Sequence, residues 1–196
     1  MTRHAPLIGI SGAAGAGKDT LASHLAPFGY VRVAFADPLR EMALAIDPLI
    51  DVWDDVGGIR LYLSDLVSDF GWDEAKKNPE VRRFLQRLGT EGVRNFFGAD
   101  TWVRLAEERI ADLGDVPVVI TDVRYPNEVE LVRRLGGLWC HVNRPDAAAV
   151  PGHVSEEALD MADADVVIHN TAGPERLEEL APGLHRSALH LIEGDR

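Results

Sequence analysis

The sequence predicts an α/β fold with three layers, α/β/α, built on a mostly parallel five-stranded sheet. Three observations lead there. Apolar strand-like runs alternate with helix-like stretches, the order that produces a parallel sheet covered on both faces. The first of these runs opens directly into a glycine-rich turn followed by a helix, and ligands of such sheets sit at the carboxyl ends of the strands. A chain of 196 residues is also long enough for one compact domain with a core of about this many strands.

The elements follow in order. Pro6–Ser11 is a short continuous apolar run, as expected of a buried strand, and Lys18–Ala26 reads as a helix. Tyr30–Ala36 is a second strand, after which Asp37 is expected to cap a helix reaching about Ala45. A less regular stretch follows, with helical patterning near Leu61–Phe70. Val81, Phe84, Leu85 and Leu88 fall at i, i+3, i+4 and i+7, one face of an amphipathic helix. Another helix spans roughly Thr101–Leu113. Val116–Thr121, Leu138–Asn143 and Asp165–His169 supply the third, fourth and fifth strands, with a helix at Asn127–Leu135 and a last one from Pro174.

Composition narrows the class. Hydrophobic residues make up 46% and charged residues 27% of the chain, a globular balance without the signature of disorder. No apolar secretion signal opens the sequence and no run approaches membrane-spanning length, so a cytoplasmic location is expected. The single cysteine, Cys140, excludes an intrachain disulfide, and its apolar setting (Leu138-Trp139-Cys140-His141-Val142) marks a buried strand residue rather than a nucleophile. A net charge of −12 argues against a partner that is polymeric nucleic acid. Between Lys76 and Arg94, however, stand Lys76, Lys77, Arg82, Arg83, Arg87 and Arg94 against only Glu80 and Glu91. That local excess of positive charge suits a small anionic substrate.

The sharpest motif is Gly12-Ala13-Ala14-Gly15-Ala16-Gly17-Lys18-Asp19-Thr20, directly after the first strand. It meets the pattern G-x-x-x-x-G-K, in which small residues let backbone N–H groups turn inward onto a triphosphate. Lys18 would reach the β and γ phosphates, where charge moves during transfer. The residue after the lysine is usually Ser or Thr, a magnesium ligand. Here it is Asp19, with Thr20 one place later, which makes Asp19 and Thr20 the candidate metal ligands on this loop.

Further segments carry a family resemblance. Phe35-Ala36-Asp37-Pro38-Leu39-Arg40, then Leu85-Gln86-Arg87-Leu88-Gly89-Thr90-Glu91 with Arg94 and Trp102, then Thr121-Asp122-Val123-Arg124-Tyr125-Pro126-Asn127-Glu128 together resemble the deoxynucleoside monophosphate kinases of tailed bacteriophages. The likeness runs from about Leu7 to Leu180. It implies a P-loop kinase fold, ATP as co-substrate, Mg²⁺ as cofactor, a deoxynucleoside monophosphate as acceptor and, for a phage-encoded enzyme, the host cytoplasm. It implies that Arg40 and Asp37 help to hold the acceptor, that Arg87 and Arg94 take its phosphate, and that Gln86, Thr90 and Trp102 contact base or sugar. Core packing is the alternative for Trp102.

The residues read alone point the same way. Asp122, at the end of an apolar strand, is placed for magnesium, with a turn cap as the alternative, and Arg124 beside it for phosphate or for a surface ion pair. Arg83, Arg87, Thr90 and Arg94 are spaced i, i+4, i+7 and i+11, one stripe of a helix if that helix continues through Gly89. Arg144 is the one arginine of a lid expected at about 144–164, and His153 there reads as structural. Asn170, in the turn Asn170-Thr171-Ala172-Gly173, resembles a contact to the donor adenine, with a plain strand-to-helix turn as the alternative. The expectation is a single P-loop kinase domain over 1–196, with a helical acceptor-binding region at about 37–113. A kinase of another small acceptor, such as dephospho-coenzyme A, and a non-kinase nucleotide switch are the rival readings. Base choice and oligomeric state, a homodimer included, stay open at this level.

Overall fold

The computed structural model describes residues 5–54, 57–145 and 159–194. Along the chain run β1 (Leu7–Ser11), α1 (Lys18–Leu25), β2 (Val31–Val33), α2 (Asp37–Ile46), β3 (Leu49–Asp54), β4 (Gly57–Tyr62), α3 (Leu63–Ala75) and α4 (Pro79–Gln86). A π-helical segment, Arg87–Arg94, continues α4, and α5 (Asn95–Phe97) and α6 (Thr101–Asp112) follow. The remainder comprises β5 (Val118–Val123), α7 (Pro126–Arg134), β6 (Leu138–Asn143), β7 (Val166–His169) and α8 (Pro174–Gly194). The chain divides into two compact units: Met1–Phe35 with Val103–Arg196, and Ala36–Trp102. None of the described helices is long and apolar enough to cross a membrane.

The first unit is the expected layered α/β body. Its five strands pair in the order β2-β5-β1-β6-β7, every pair parallel. Central β1 is buried along its whole length, which is why it reads as an unbroken apolar run. Successive side chains of a strand point to opposite faces. Ile8 and Ile10 therefore pack with Leu21 and Leu25 of α1 and Leu177 and Leu184 of α8. Leu7 packs on the other side with Val118, Ile120, Val129 and Val132. Full burial of each such side chain contributes roughly 1.5–3 kcal/mol of transfer free energy. At Gly9 a Cβ would come within 2.6 Å of Val132 Cγ2, so only glycine lets α7 lie this close to β1.

Two boundaries differ from the sequence reading. β2 is only three residues long, and Phe35 is buried outside it. β5 runs on to Val123 and so includes Asp122, because Val123 still pairs with Ser11 of β1 across an irregularity in the register.

The second unit has its own small core of Ala43, Ile50, Leu63, Leu66, Ala75 and Val81. Here β3 and β4 form an antiparallel hairpin that the sequence analysis did not anticipate. Its pattern hides it: Ile50 is buried, but Leu49, Trp53 and Ile59 are exposed, so no clean alternation marks a solvent face. Asp37 is the first residue of α2 rather than its cap, which is Ala36. Asn78 caps α4 by accepting the Glu80 N–H at 2.8 Å, with Pro79 at the first helical position.

Candidate active site

The loop after β1 is shaped by its glycines. Gly12, Gly15 and Gly17 all have left-handed φ (140°, 75° and 103°), a conformation other residues adopt only at a cost. A Cβ on Gly12 would collide with the carbonyl oxygen of Val142, and one on Gly17 would come within 2.8 Å of Asn170 Nδ2 and Leu177 Cδ1. The loop then feeds α1, whose first turn contains Lys18. The Lys18 ammonium donates to the carbonyls of Gly12 at 2.7 Å and Ala13 at 2.8 Å, so it lies back across its own loop.

Two side chains that follow other strands brace this loop. Asn170, 4% exposed just past β7, donates from Nδ2 to the Ala16 carbonyl at 2.8 Å. Its buried Oδ1 has no hydrogen-bond partner among the described residues. Arg144, following β6, donates to the Gly15 carbonyl at 3.2 Å. The structure thus brings Arg144 and Asn170, both picked out from sequence, onto the phosphate loop itself. Ser11, buried at the end of β1, accepts the indole N–H of Trp139 at 2.8 Å and lies 3.0 Å from His141 Nδ1. Burial, and after it the Lys18 charge, holds His141 below the usual histidine range. Sequence reasoning passed over Ser11, Trp139 and His141. The signal was available: residues 139 and 141 share one face of β6 by the two-residue period, at the end of a strand where ligands bind.

The carboxylates and hydroxyls sort differently. Asp19 is 77% exposed and lies 3.6 Å from Arg32 Nε on β2. Thr20 is half-buried in the first turn of α1. Asp122 is half-buried on β5, and its Oδ1 accepts the Phe35 N–H at 2.8 Å. A carboxylate has about four lone-pair sites, the oxygen-donor chemistry that a hard cation or its water takes. Arg124 is exposed, and its backbone N–H is held by the buried Glu128 carboxylate at 2.7 Å. Glu128 also accepts from the Tyr125 N–H at 3.1 Å, which fixes the turn between β5 and α7. Among the described residues no group of three or more His, Cys, Asp or Glu is placed to hold a metal ion.

In the second unit Arg40 is a half-buried cation. It lies 3.5 Å from Asp37 and 6.0 Å over the Trp72 ring, and its buried Nε has no partner among the described residues. The basic stripe does not form as α-helical spacing predicts. Arg87–Arg94 is wound as a π-helix, in which the Asn95 N–H bonds to the Thr90 carbonyl five residues back. Arg83 and Arg87 line an open groove of about 540 Å³ with Glu80, Glu91, Phe84 and Phe96, and Thr90 and Arg94 are not in its wall. Arg87 pairs with Glu91 at 3.3 Å on the surface. Gln86 and Thr90 are exposed and Arg94 is half-buried. Trp102 is 4% exposed and donates its indole N–H to the Gly89 carbonyl at 3.2 Å. Its ring has no open face for a base, which makes it a buried residue bonded to the π-helical segment. The expected lid residues 146–158, His153 among them, lie outside the described residues.

Comparison with known proteins decides the family. The family model described as Deoxynucleotide monophosphate kinase matches residues 59–181, more than half of the chain. The chain belongs to this family. Its members are phosphotransferases, and the resemblance drawn from the motifs above holds. A protein of Acanthamoeba polyphaga mimivirus described as a putative deoxynucleotide monophosphate kinase is 28% identical over 84% of this chain and 88% of its own. The deoxynucleoside-5'-monophosphate kinase of Escherichia phage T5 is 30% identical over 67% of this chain and 73% of its own. The deoxynucleotide monophosphate kinase of Escherichia phage RB69 is 34% identical, but the shared stretch spans only 50% of this chain and 41% of that one.

Proposed function

We propose that this kinase transfers the γ-phosphoryl group of ATP to a deoxynucleoside monophosphate, with Mg²⁺, and releases the diphosphate. The observation that carries the reading is the phosphate loop: three left-handed glycines and an ammonium, Lys18, already drawn over the loop. The acceptor is what the family's name and the named relatives supply.

The chemistry needs little covalent help. The second ionisation of a phosphate monoester lies near pH ~6, so the attacking oxygen is already anionic at neutral pH and requires no general base. The obstacle is charge: a dianion must approach the terminal phosphate of ATP, within a chain of net charge −12. Catalysis is then alignment, exclusion of water and neutralisation of charge. On the donor side, Gly12, Gly15, Ala16 and Gly17 offer backbone N–H groups, Lys18 follows the transferring group, and Arg124 and Arg144 add positive charge. On the acceptor side, Arg40 carries the strongest case, because a buried guanidinium N–H without a partner is suited to take a phosphate oxygen. Asp37, Arg87, Arg94, Gln86 and Thr90 complete that reading within the region 37–113. The unpartnered Oδ1 of Asn170 suits a donor such as an adenine amino group.

The oxygen donors Asp122, Thr20 and Asp19 fit a hard cation that keeps much of its water and takes the rest of its ligands from phosphates. These residues would hold Mg²⁺, and the ion would supply charge neutralisation at the phosphates.

A coupled assay tests the proposal. ADP should appear from ATP and magnesium only when one of the common deoxynucleoside monophosphates is added, and the matching diphosphate should be recovered. Turnover with dephospho-coenzyme A alone would move the chain to the rival acceptor. Slow hydrolysis indifferent to every acceptor would make it a nucleotide switch.

A further inference from the structure

We propose that His141 is a further ligand of the donor nucleotide's phosphates, presenting the Nε2–H of a neutral imidazole beside Lys18. The inference rests on reading Gly12–Thr20 as the ATP loop.

Hydrogen-bond chemistry sets the tautomer. An indole N–H can only donate, so Ser11 Oγ accepts from Trp139 at 2.8 Å. Ser11 is buried, so its hydroxyl proton needs an acceptor inside the protein, and we take that acceptor to be the other neighbour, His141 Nδ1, at 3.0 Å. No other described residue bonds to this hydroxyl. With Nδ1 accepting, the ring proton resides on Nε2. Trp139 is almost completely buried, so the relay Trp139–Ser11–His141 is held at its inner end by the core.

Position then gives the donor a target. His141 pairs in register with Ser11, the residue immediately before Gly12, so the imidazole stands at the carboxyl end of β6 where the phosphate loop begins. The ring is half-exposed, and no described residue bonds to Nε2. The Lys18 ammonium lies close enough to disfavour protonation of the ring, and burial acts in the same direction. The result is an uncharged donor next to the Lys18 ammonium, which is itself held by the Gly12 and Ala13 carbonyls. It can bind a phosphate oxygen without repelling Lys18.

The test compares two amide substitutions. Glutamine places its side-chain nitrogen near the position of Nε2, and asparagine places its amide near Nδ1. For His141→Ala, His141→Gln, His141→Asn and Lys18→Ala, turnover and the KM of ATP and of the acceptor are measured, together with the thermal midpoint. The expected result is a rise of about 10-fold or more in the KM of ATP for Ala and Asn, within ~3-fold of the parent for Gln, and an unchanged acceptor KM. Rescue by Asn but not Gln would overturn the proposal, since His141 would then act only through Ser11. So would an equal rise in both constants with a lowered thermal midpoint in all three His141 variants, the mark of a structural role. If the His141 variants behave as the parent while Lys18→Ala is crippled, the ligand role of His141 fails and the loop reading stands. If Lys18→Ala is also unaffected, the loop reading itself fails.

Discussion

The loop of the sheet unit and the basic stretch of the helical unit hold their polar groups differently. On the loop the groups are fixed by backbone. Lys18 is bonded to the carbonyls of Gly12 and Ala13, Asn170 to that of Ala16 and Arg144 to that of Gly15, on a loop whose course three glycines dictate. In the helical unit the cations are mostly held by solvent and by other side chains. Arg87 meets Glu91 across an exposed turn, a pair worth about 0–1 kcal/mol, whereas Arg40 is half-buried against Asp37 and Trp72. A site built from backbone is organised before its ligand arrives. A site built from exposed long side chains must be ordered by the ligand, at an entropic cost of about 0.5–1.5 kcal/mol for each side chain immobilised.

The comparison is most directly broken at Lys18. Lys18→Ala removes the one ammonium aimed along the loop and leaves the glycine-determined backbone in place. Turnover should fall by ~10²–10³ with the thermal midpoint close to that of the parent. A folded variant with near-normal turnover would mean that the ordered loop is not the donor site.

The acceptor cations come next. Arg40→Ala and Arg94→Ala should each raise the acceptor's KM by about 10-fold, lower turnover through poorer alignment, and leave the KM of ATP nearly unchanged. Lysine should restore part of the loss at either position, because the charge returns without the planar fork. Arg40→Ala should have the larger effect, since the buried Nε of Arg40 has no hydrogen-bond partner among the described residues. Equal weakening of ATP and acceptor by both variants would remove the division of labour.

What could be read from the sequence follows the same division. The strand–loop–helix unit was legible residue by residue, because Gly12, Gly15 and Gly17 are demanded by backbone geometry that no other residue supplies. The central strands were equally legible as elements, since β1 and β5 are buried on both faces and so read as apolar runs, whereas their order in the sheet was not read from the sequence. The basic stripe was legible as charge but not as geometry. Its i, i+4, i+7, i+11 spacing assumes an α-helix, and the π-helical winding of Arg87–Arg94 redistributes those residues around the axis. Gly89 and Gly92 interrupt the stretch and weaken α-helical propensity there, but nothing in their spacing announces a five-residue hydrogen bond. The β3–β4 hairpin was concealed by its exposed apolar side chains. Trp102 shows how an aromatic near a candidate site is drawn into a functional role when its nearest partner, the Gly89 carbonyl, is invisible in the sequence.

Trp102→Phe sharpens that last point with a smaller effect. The ring volume is largely kept while the indole N–H to Gly89 is lost, so the expected cost is ~1 kcal/mol in stability. Turnover and both KM values should stay within about 3-fold of the parent. A selective rise in the acceptor KM, with stability unchanged, would return Trp102 to base recognition.

The smallest expected effect concerns pH, and it divides the two units by composition. The stretch from Ala36 to Trp102 contains no histidine, whereas His141 and His185 both lie in the sheet unit. His185, on α8, stacks on Phe28 with ring centroids 4.6 Å apart and lies 3.3 Å from the Tyr30 hydroxyl. Burial, and then the charge of Arg186, holds it below its ordinary value of 6.5. His141 is lowered in the same sense. A histidine with a lowered folded-state pKa binds fewer protons folded than unfolded as pH falls through 6.5. Its contribution to stability is therefore present above that value and is lost as pH drops toward the folded pKa. Acidification from about pH 7.5 to about pH 5.5 should lower the thermal midpoint slightly. It should also raise amide exchange in α1, β1 and α8 before α3 and α4. His185→Gln should reduce the pH dependence and His141→Gln reduce it further, since each removes one proton uptake on unfolding. If exchange rises equally in both units over this range, or if the double substitution leaves the pH dependence as it was, the two histidines do not set the acid response.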